Sequence, residues 1–242
     1  MIWALSHGVA ITLCIAHRGA STKAPENTLR AFRRALALGT DGLELDVHVT
    51  RDRVAVVFHD DQLRRLTGTG GKIAAKTWRE LGLLRVRGTE PIPRLVDVLR
   101  LTRGRAVVQI EIKTGVPVAP VVRAVRAARA QDDVIFASFS PAIIRTARRL
   151  APAVPRMLIT DGRRPPATLV RLSAACAASG LSLDHRAIRS AAAVRYFHAR
   201  GQAVWCWTVN DARTMRRLAT WGIDAIISDD PGLLRRTLAA KK

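Results

Sequence analysis

Eight short β-branched runs alternate with longer Ala/Leu/Arg-rich runs along almost the whole chain, and this rhythm limits the fold more than any single motif does. The strand-like runs are ITLCIA, GLELDV, AVVQIEI, DVIFAS, PRMLI, GLSLD, AVWCWTV and DAIIS. Between them the apolar positions recur at helical spacing, as in Leu29, Phe32, Ala35 and Leu36. Gly39, Gly180, Gly201 and Gly222 stand where such helices would end. Eight strand–helix units in 242 residues predict an α/β protein of the (β/α)8 (TIM) barrel type, whose usual length is about 250 residues. An open doubly wound sheet competes with it, but no segment reads as that fold's glycine-rich phosphate loop.

One segment departs from the alternation. Residues from about 48 to 93 hold an extra strand, VAVVF, then a Gly/Thr turn cluster, then a short helix near Trp78–Leu83. It is expected as a small insertion after the second strand, at the barrel mouth, within one domain spanning 1–242. Functional loops gather on that face of such a scaffold. The cluster Gly68–Gly71 is a turn signal, not by itself a phosphate cradle.

Alternation along the strands selects the chemistry. Successive strand side chains point to opposite faces. In GLELDVH, Glu44 and Asp46 share one face while Leu43, Leu45 and Val47 take the other. The apolar face packs under helices, so the two acids point toward the barrel axis. VVQIEIK repeats the pattern, with Gln109, Glu111 and Lys113 on one face. Three carboxylates turned inward repel one another and are costly to desolvate without a positive charge between them. Hard oxygen donors without Cys suit one divalent cation, Mg2+ or Ca2+, with Mn2+ as the third choice. A buried ion-pair network with Lys113 is the alternative use of the same groups.

His17 and Arg18 close the first strand, and His59 closes the extra one. Two imidazoles at strand ends beside an acid trio read as a general acid and a general base, because an imidazole titrates near pH 6.5 and moves protons both ways near neutrality. Arg18 and Lys113 supply positive charge for an anionic oxygen. Together these groups describe phosphate-ester cleavage. His48, Ser138 and Asn210 stand at the edge of this set as candidates for supporting hydrogen bonds, His48 with rim surface as its other reading. Trp205, Trp207 and Val209 share a strand face by alternation. His7, His185 and His198 match no pattern and read as surface or core.

The chain also resembles the glycerophosphodiester phosphodiesterases. The matching stretches are AHRGAS…APENTLRAF, GLELDVHVTRD, VVFHDDQLRRLTGTG, IPRLVDVL, IEIK, ASFSP, WCWTVND and AIISDDPGLL, in the family's order over nearly the whole sequence. The resemblance implies a (β/α)8 barrel, a divalent cation on Glu44, Asp46 and Glu111, His17 and His59 as the acid/base pair, and phosphate contacts from Arg18 and Lys113. It places an aromatic at Trp207, for substrate contact or for barrel filling. It implies hydrolysis of a glycerophosphodiester to an alcohol and glycerol 3-phosphate. Two alternatives stand beside it: a lysophospholipase D-type action on lysophospholipids, and a basic binding protein without turnover. The sequence departs from the family pattern at Arg53, where a Gly is usual, at Ala55, where a Pro is usual, and at Gln109, where an Asn is usual; Arg53 and Ala55 put the turn geometry in question.

Composition adds little beyond this. The net charge of +21 comes from 34 Arg and six Lys spread over every helical run against 19 acids. It reads as solvated surface, with no like-charge block fit for a specific nucleic acid, and leaves peripheral contact with an anionic membrane open. The three cysteines, Cys14, Cys176 and Cys206, have no CxxC spacing and read as free thiols in a reducing compartment. The first residues, MIWALSHGVAITLC, lack a basic start and read as a lead-in plus first strand; no run approaches the ~18 apolar residues of a membrane span. The expectation is a cytoplasmic protein acting on a small molecule, as a monomer or a homodimer.

Overall fold

The computed structural model describes residues 11–240. The proposed lead-in and His7 lie outside the described residues. The strands are β1 (Leu13–His17), β2 (Gly42–Val49), β3 (Ala55–Val57), β4 (Arg85–Val86), β5 (Glu90–Pro91), β6 (Val107–Ile112), β7 (Val134–Ser138), β8 (Arg156–Thr160), β9 (Gly180–Asp184), β10 (Ala203–Trp207) and β11 (Ala225–Ser228). The helices are α1 (Leu29–Ala37), α2 (Arg64–Thr67), α3 (Trp78–Leu81), α4 (Leu95–Thr102), α5 (Val118–Ala128), α6 (Pro141–Leu150), α7 (Pro166–Ala175), α8 (Ala191–His198), α9 (Ala212–Thr220) and α10 (Pro231–Ala239).

Eight parallel strands run in the order β1-β11-β10-β9-β8-β7-β6-β2, and β2 pairs back onto β1 through Ile15↔Gly42 and His17↔Glu44, so the sheet closes. Helices connect the strands, as the alternation requires of parallel neighbours. Inside, Ile15, Val107, Ile135, Met157, Ile159, Trp205 and Ile227 form one buried apolar cluster. Small residues complement these large ones. A Cβ on Gly42 would lie 2.7 Å from both Ile15 Cδ1 and Val107 Cγ1. The outward residues Leu43, Leu45, Ile110 and Phe136 pack under helices. Cys14, Cys176 and Cys206 are free and buried.

The insertion leaves the barrel with β3, which pairs antiparallel with the end of β2 (Val47↔Val57, Val49↔Ala55). It carries its own small core of Val56, Phe58, Leu63, Leu66, Ile73, Leu81, Val86 and Ile92. The helix expected near Trp78–Leu83 is α3, closed by a capping box between Thr77 and Glu80. The turn α2 and the two-stranded ribbon β4–β5 were not legible from periodicity, being too short to show any.

Two local expectations are corrected. Gly39, Gly201 and Gly222 do follow helix ends in the left-handed region, but Gly180 opens β9 instead. The left-handed residue after α7 is Ala177 (φ 55°), and Gly180 is required because a Cβ there would lie 2.6 Å from Ala203 O. Val209 does not share the face of Trp205: β10 ends at Trp207, and Val209 packs in the outer cluster with Leu218 and Ile226.

Arg53, at the departure from the family pattern, keeps the turn that glycine would make. Its φ is 65°, and Thr50 holds the turn through Arg53 N→Thr50 O (3.0 Å) and Val54 N→Thr50 Oγ1 (2.9 Å). An L-residue pays about 1–2 kcal/mol in that region. We therefore expect Arg53→Gly to stabilise the fold by ~0.5–1 kcal/mol, net of glycine's greater freedom when unfolded. Urea denaturation measures this, and a lower midpoint would show that the turn stores no strain.

Candidate active site

The apolar barrel interior gives way to charge at the C-terminal strand ends. Glu44, Asp46 and Glu111 each offer a carboxylate oxygen within 4.8 Å of the others. β2 and β6 are paired with Asp46 opposite Glu111, so the face alternation brings them together. Asp46 is 1% exposed. The ion-pair network weighed as an alternative exists as well: Lys113 Nζ lies 2.6 Å from Asp46 Oδ1 and 2.6 Å from Glu111 Oε1. Arg18 Nε lies 3.3 Å from Asp46 Oδ2 but is a buried donor without a hydrogen bond.

Two cations against three carboxylates leave one negative charge uncompensated. The electrostatics follow. Burial would raise Asp46, but Lys113 and then Arg18 hold it down to about 2. Burial, then the Asp46 carboxylate, push Glu44 up to about 8, and the same two causes raise Glu111. The cluster thus lacks a positive charge, and its three hard oxygen donors fit a divalent cation.

The two histidines line one cavity with Glu44 and Glu111. His17 Nδ1 is 2.6 Å from Asp229 Oδ1, and His59 Nδ1 is 2.6 Å from Asp60 Oδ1. A carboxylate at Nδ1 fixes the proton there and leaves Nε2 to the site. His17 Nε2 lies 3.8 Å from Glu44 Oε2. Burial opposes charging of His17, yet Asp229 and Glu44 raise its pKa on balance.

The His-Arg-Gly turn explains itself in this geometry. Arg18 is left-handed (φ 55°), pinned by Arg18 N→Glu44 O (3.0 Å) and Asn27 N→Arg18 O (3.0 Å). Gly19 follows because a Cβ would come within 2.7 Å of the Ala31 backbone in α1. Asn27 is left-handed too, and its Nδ2 donates to Asp46 Oδ2 (2.8 Å).

Several residues of the site carried no assigned role in the sequence. Arg65 on α2 donates to Asp60 Oδ2 through Nε (2.6 Å) and to both oxygens of Glu26 (2.9 and 2.8 Å), and Glu26 also accepts from Arg18 Nη1 (2.8 Å). One chain of charges therefore runs His59–Asp60–Arg65–Glu26–Arg18–Asp46. Asp229 is held by Asn210 Nδ2 (2.6 Å) and Ser21 Oγ (3.2 Å). The only signals for Asp60, Asp229 and Glu26 were their places beside His59, in SDDP and in PEN. His48 is buried, not rim surface; its Nε2 lies 3.0 Å from the His59 carbonyl, and burial lowers its pKa. Ser138 Oγ donates to Ile112 O (2.7 Å). His185 sits in a 3-10 turn, and His198 pairs with Asp224 (2.9 Å).

A cavity of ≈ 180 Å³ joins these groups; His17, Arg18, Glu44, His59, Glu111, Lys113 and Trp207 line it. Trp205 is fully buried filling, whereas Trp207 reaches the cavity wall. Barrel and site define an enzyme of the hydrolase class, with acids and carboxylate-backed imidazoles at the strand ends.

Residues 17–233 match the model of the Glycerophosphoryl diester phosphodiesterase family. A glycerophosphodiester phosphodiesterase of Caldanaerobacter subterraneus is 32% identical over 250 residues, covering 92% of this chain and 96% of its own. One from Bacillus altitudinis is 30% identical over 240 residues, covering 91% and 96%. The crystal structure of a glycerophosphodiester phosphodiesterase from Agrobacterium tumefaciens superposes with a TM-score of 0.82 at 31% identity, over 93% of this chain and 99% of that one. A phosphodiesterase of Oleispira antarctica, solved with its product sn-glycerol-3-phosphate, has a TM-score of 0.82 at 26% identity, over 95% and 97%. The chain belongs to the glycerophosphoryl diester phosphodiesterase family, and is thus an enzyme rather than a binding module. Among the described residues no helix is long and apolar enough to cross a membrane.

Glu44 generates a pH prediction for the metal-free protein. Its folded pKa is raised from 4.5 to about 8. Between those values the folded chain keeps a proton that the unfolded chain releases, so stability is lost as pH rises through the window. His17, raised from 6.5, acts in the same direction. Thermal unfolding in chelator should show the melting temperature falling from pH 5 to 9, less steeply in Glu44→Gln. An equal slope in wild type and Glu44→Gln would refute this origin.

Proposed function

We propose that the chain hydrolyses glycerophosphodiesters to an alcohol and glycerol 3-phosphate, as one catalytic unit spanning 1–242 with the insertion of about 48–93 at its mouth. The observation that carries the reading is the shared cavity, where two carboxylate-backed imidazoles stand with Glu44 and Glu111, and Asp46 lies buried within 4.8 Å of those two acids, the trio being short of one positive charge. Glu44, Asp46 and Glu111 would hold one divalent cation, Mg2+ or Ca2+ ahead of Mn2+, which when bound polarises the phosphoryl oxygens.

His17 and His59 move the protons at Nε2. One takes a proton from the attacking oxygen and the other returns one to the leaving alcohol. Asp229 and Asp60 keep both rings in the tautomer this requires and stabilise each imidazolium as it forms. Lys113 and Arg18, which both line the cavity, supply donors for the phosphate oxygens. Trp207, on the cavity wall, offers its ring to the carbon skeleton. The relative named as a human lysophospholipase D matches only 67 residues, at 46% identity, so the lysophospholipid reading gains little from it.

Purified protein should release glycerol 3-phosphate from glycerophosphocholine, stop in EDTA and resume with added Mg2+, Ca2+ or Mn2+. Turnover that survives exhaustive chelation would refute the cation.

His17→Ala and His59→Ala should each lower kcat by at least ~100-fold, the usual contribution of a positioned acid or base. Asp60→Asn and Asp229→Asn should cost about 10-fold or more in kcat, because each removes the anchor of one ring. Steady-state kinetics on folded variants tests both sets; near-wild-type kcat in either histidine variant would remove that residue from the mechanism.

A further inference from the structure

A second, larger cavity of ≈ 800 Å³ opens between the loops that follow β8 and β9. Trp207 belongs to its wall and to that of the catalytic cavity. The indole Nε1 donates to Ser182 O (3.1 Å), and the ring meets Phe139 edge-on at 5.9 Å. Trp207 is therefore a wall residue shared by two neighbouring spaces on one face of the barrel. On the His59 side the Asp60–Arg65–Glu26 chain of charges stands behind the histidine. A diester with its phosphorus among His17, His59 and Lys113 carries two substituents, and the room for the bulkier one lies past Trp207.

Charge decides what that room accepts. Four arginines line it, Arg163, Arg164, Arg186 and Arg189, against Asp161 and Asp184. Asp161 pairs with Arg163 (3.1 Å) and Asp184 with Arg186 (2.5 Å). Arg164 and Arg189, one from each loop, are exposed, and among the described residues neither has an acidic partner within 4.0 Å. Two unpaired guanidiniums repel a quaternary ammonium and hold phosphate or carboxylate bidentately.

We propose that this cavity is the subsite for the leaving alcohol and that it selects glycerophosphodiesters whose alcohol carries a second anionic group, a phosphate, phosphodiester or carboxylate. The inference rests on the diesterase reading above and adds Arg164 and Arg189 to it as specificity-determining residues.

The test compares kcat/KM per scissile bond for two probes, with the full chain and added cation. Glycerophosphocholine has a cationic head group. Bis(glycerophospho)glycerol releases an alcohol that keeps a phosphodiester anion. The anionic probe should be preferred by about 10-fold, the size of one good charge-assisted contact pair. That preference should fall toward one in Arg164→Ala/Arg189→Ala. It should persist in Arg148→Ala/Arg149→Ala, which removes the same charge from the exposed face of α6. Equal turnover of both probes by the wild type would overturn the inference and leave the diesterase reading standing. So would a preference that survives loss of Arg164 and Arg189, or one that falls equally in the α6 variant, where the general field of the chain would be its source. Faster turnover of lysophosphatidylcholine than of either probe would make the cavity an acyl channel and overturn the inference too. Turnover of no probe would remove the diesterase reading and this inference with it.

Discussion

Three carboxylates at one point of the barrel mouth, Glu44 and Asp46 buried and Glu111 partly so, are the constraint to which the surrounding residues answer. Desolvated like charges are tolerated only with compensation, and the compensation is visible on every side. Lys113 bridges Asp46 and Glu111, Arg18 lies 3.3 Å from the other oxygen of Asp46, and Asn27 donates to Asp46. It still falls one charge short, and burial together with the neighbouring Asp46 carboxylate makes Glu44 hold its proton well above the ordinary carboxylate range. The apolar stack beneath, with Trp205 and Ile227 at its centre, keeps the strands in the register that forces the acids together.

Barrel closure supplies the other half of the geometry. His17 and Asp229 stand 212 positions apart, yet β1 pairs with β11 and sets them in contact. His59 is placed differently, by a segment that leaves the barrel and must be fastened back to it. Antiparallel pairing of β3 with the end of β2 does part of this. Arg65 does the rest, since its guanidinium joins Asp60 behind His59 to Glu26 behind Arg18. An insertion with its own apolar core thus becomes a rigid wall of the site.

Much of this is legible in the amino-acid sequence. Each expected strand is present within a residue or two, because period-two and helical patterns report directly on burial. Glu44, Asp46 and Glu111 were readable as inward-facing from the same alternation. Alternation misled only where the strand had ended, at Val209. Gly180 misled because a glycine marks a helix end and a close backbone approach alike, and a sequence does not show which neighbour is near. Asp60, Asp229, Glu26 and Arg65 were missed for a related reason: acids and arginines are common on surfaces, and only their partners distinguish these four.

By itself the sequence determined the (β/α)8 alternation, the inward acids and His17 at the end of β1, since each is a property of local period and residue type; His59, read as closing its strand, lies two residues past β3, which ends at Val57. Only the tertiary structure decided which carboxylate backs which imidazole, how the insertion is latched, and that two arginines beside a second cavity have no acidic partner among the described residues. Those features depend on distances between segments remote in the chain, which are set when the strands close into a ring and not before.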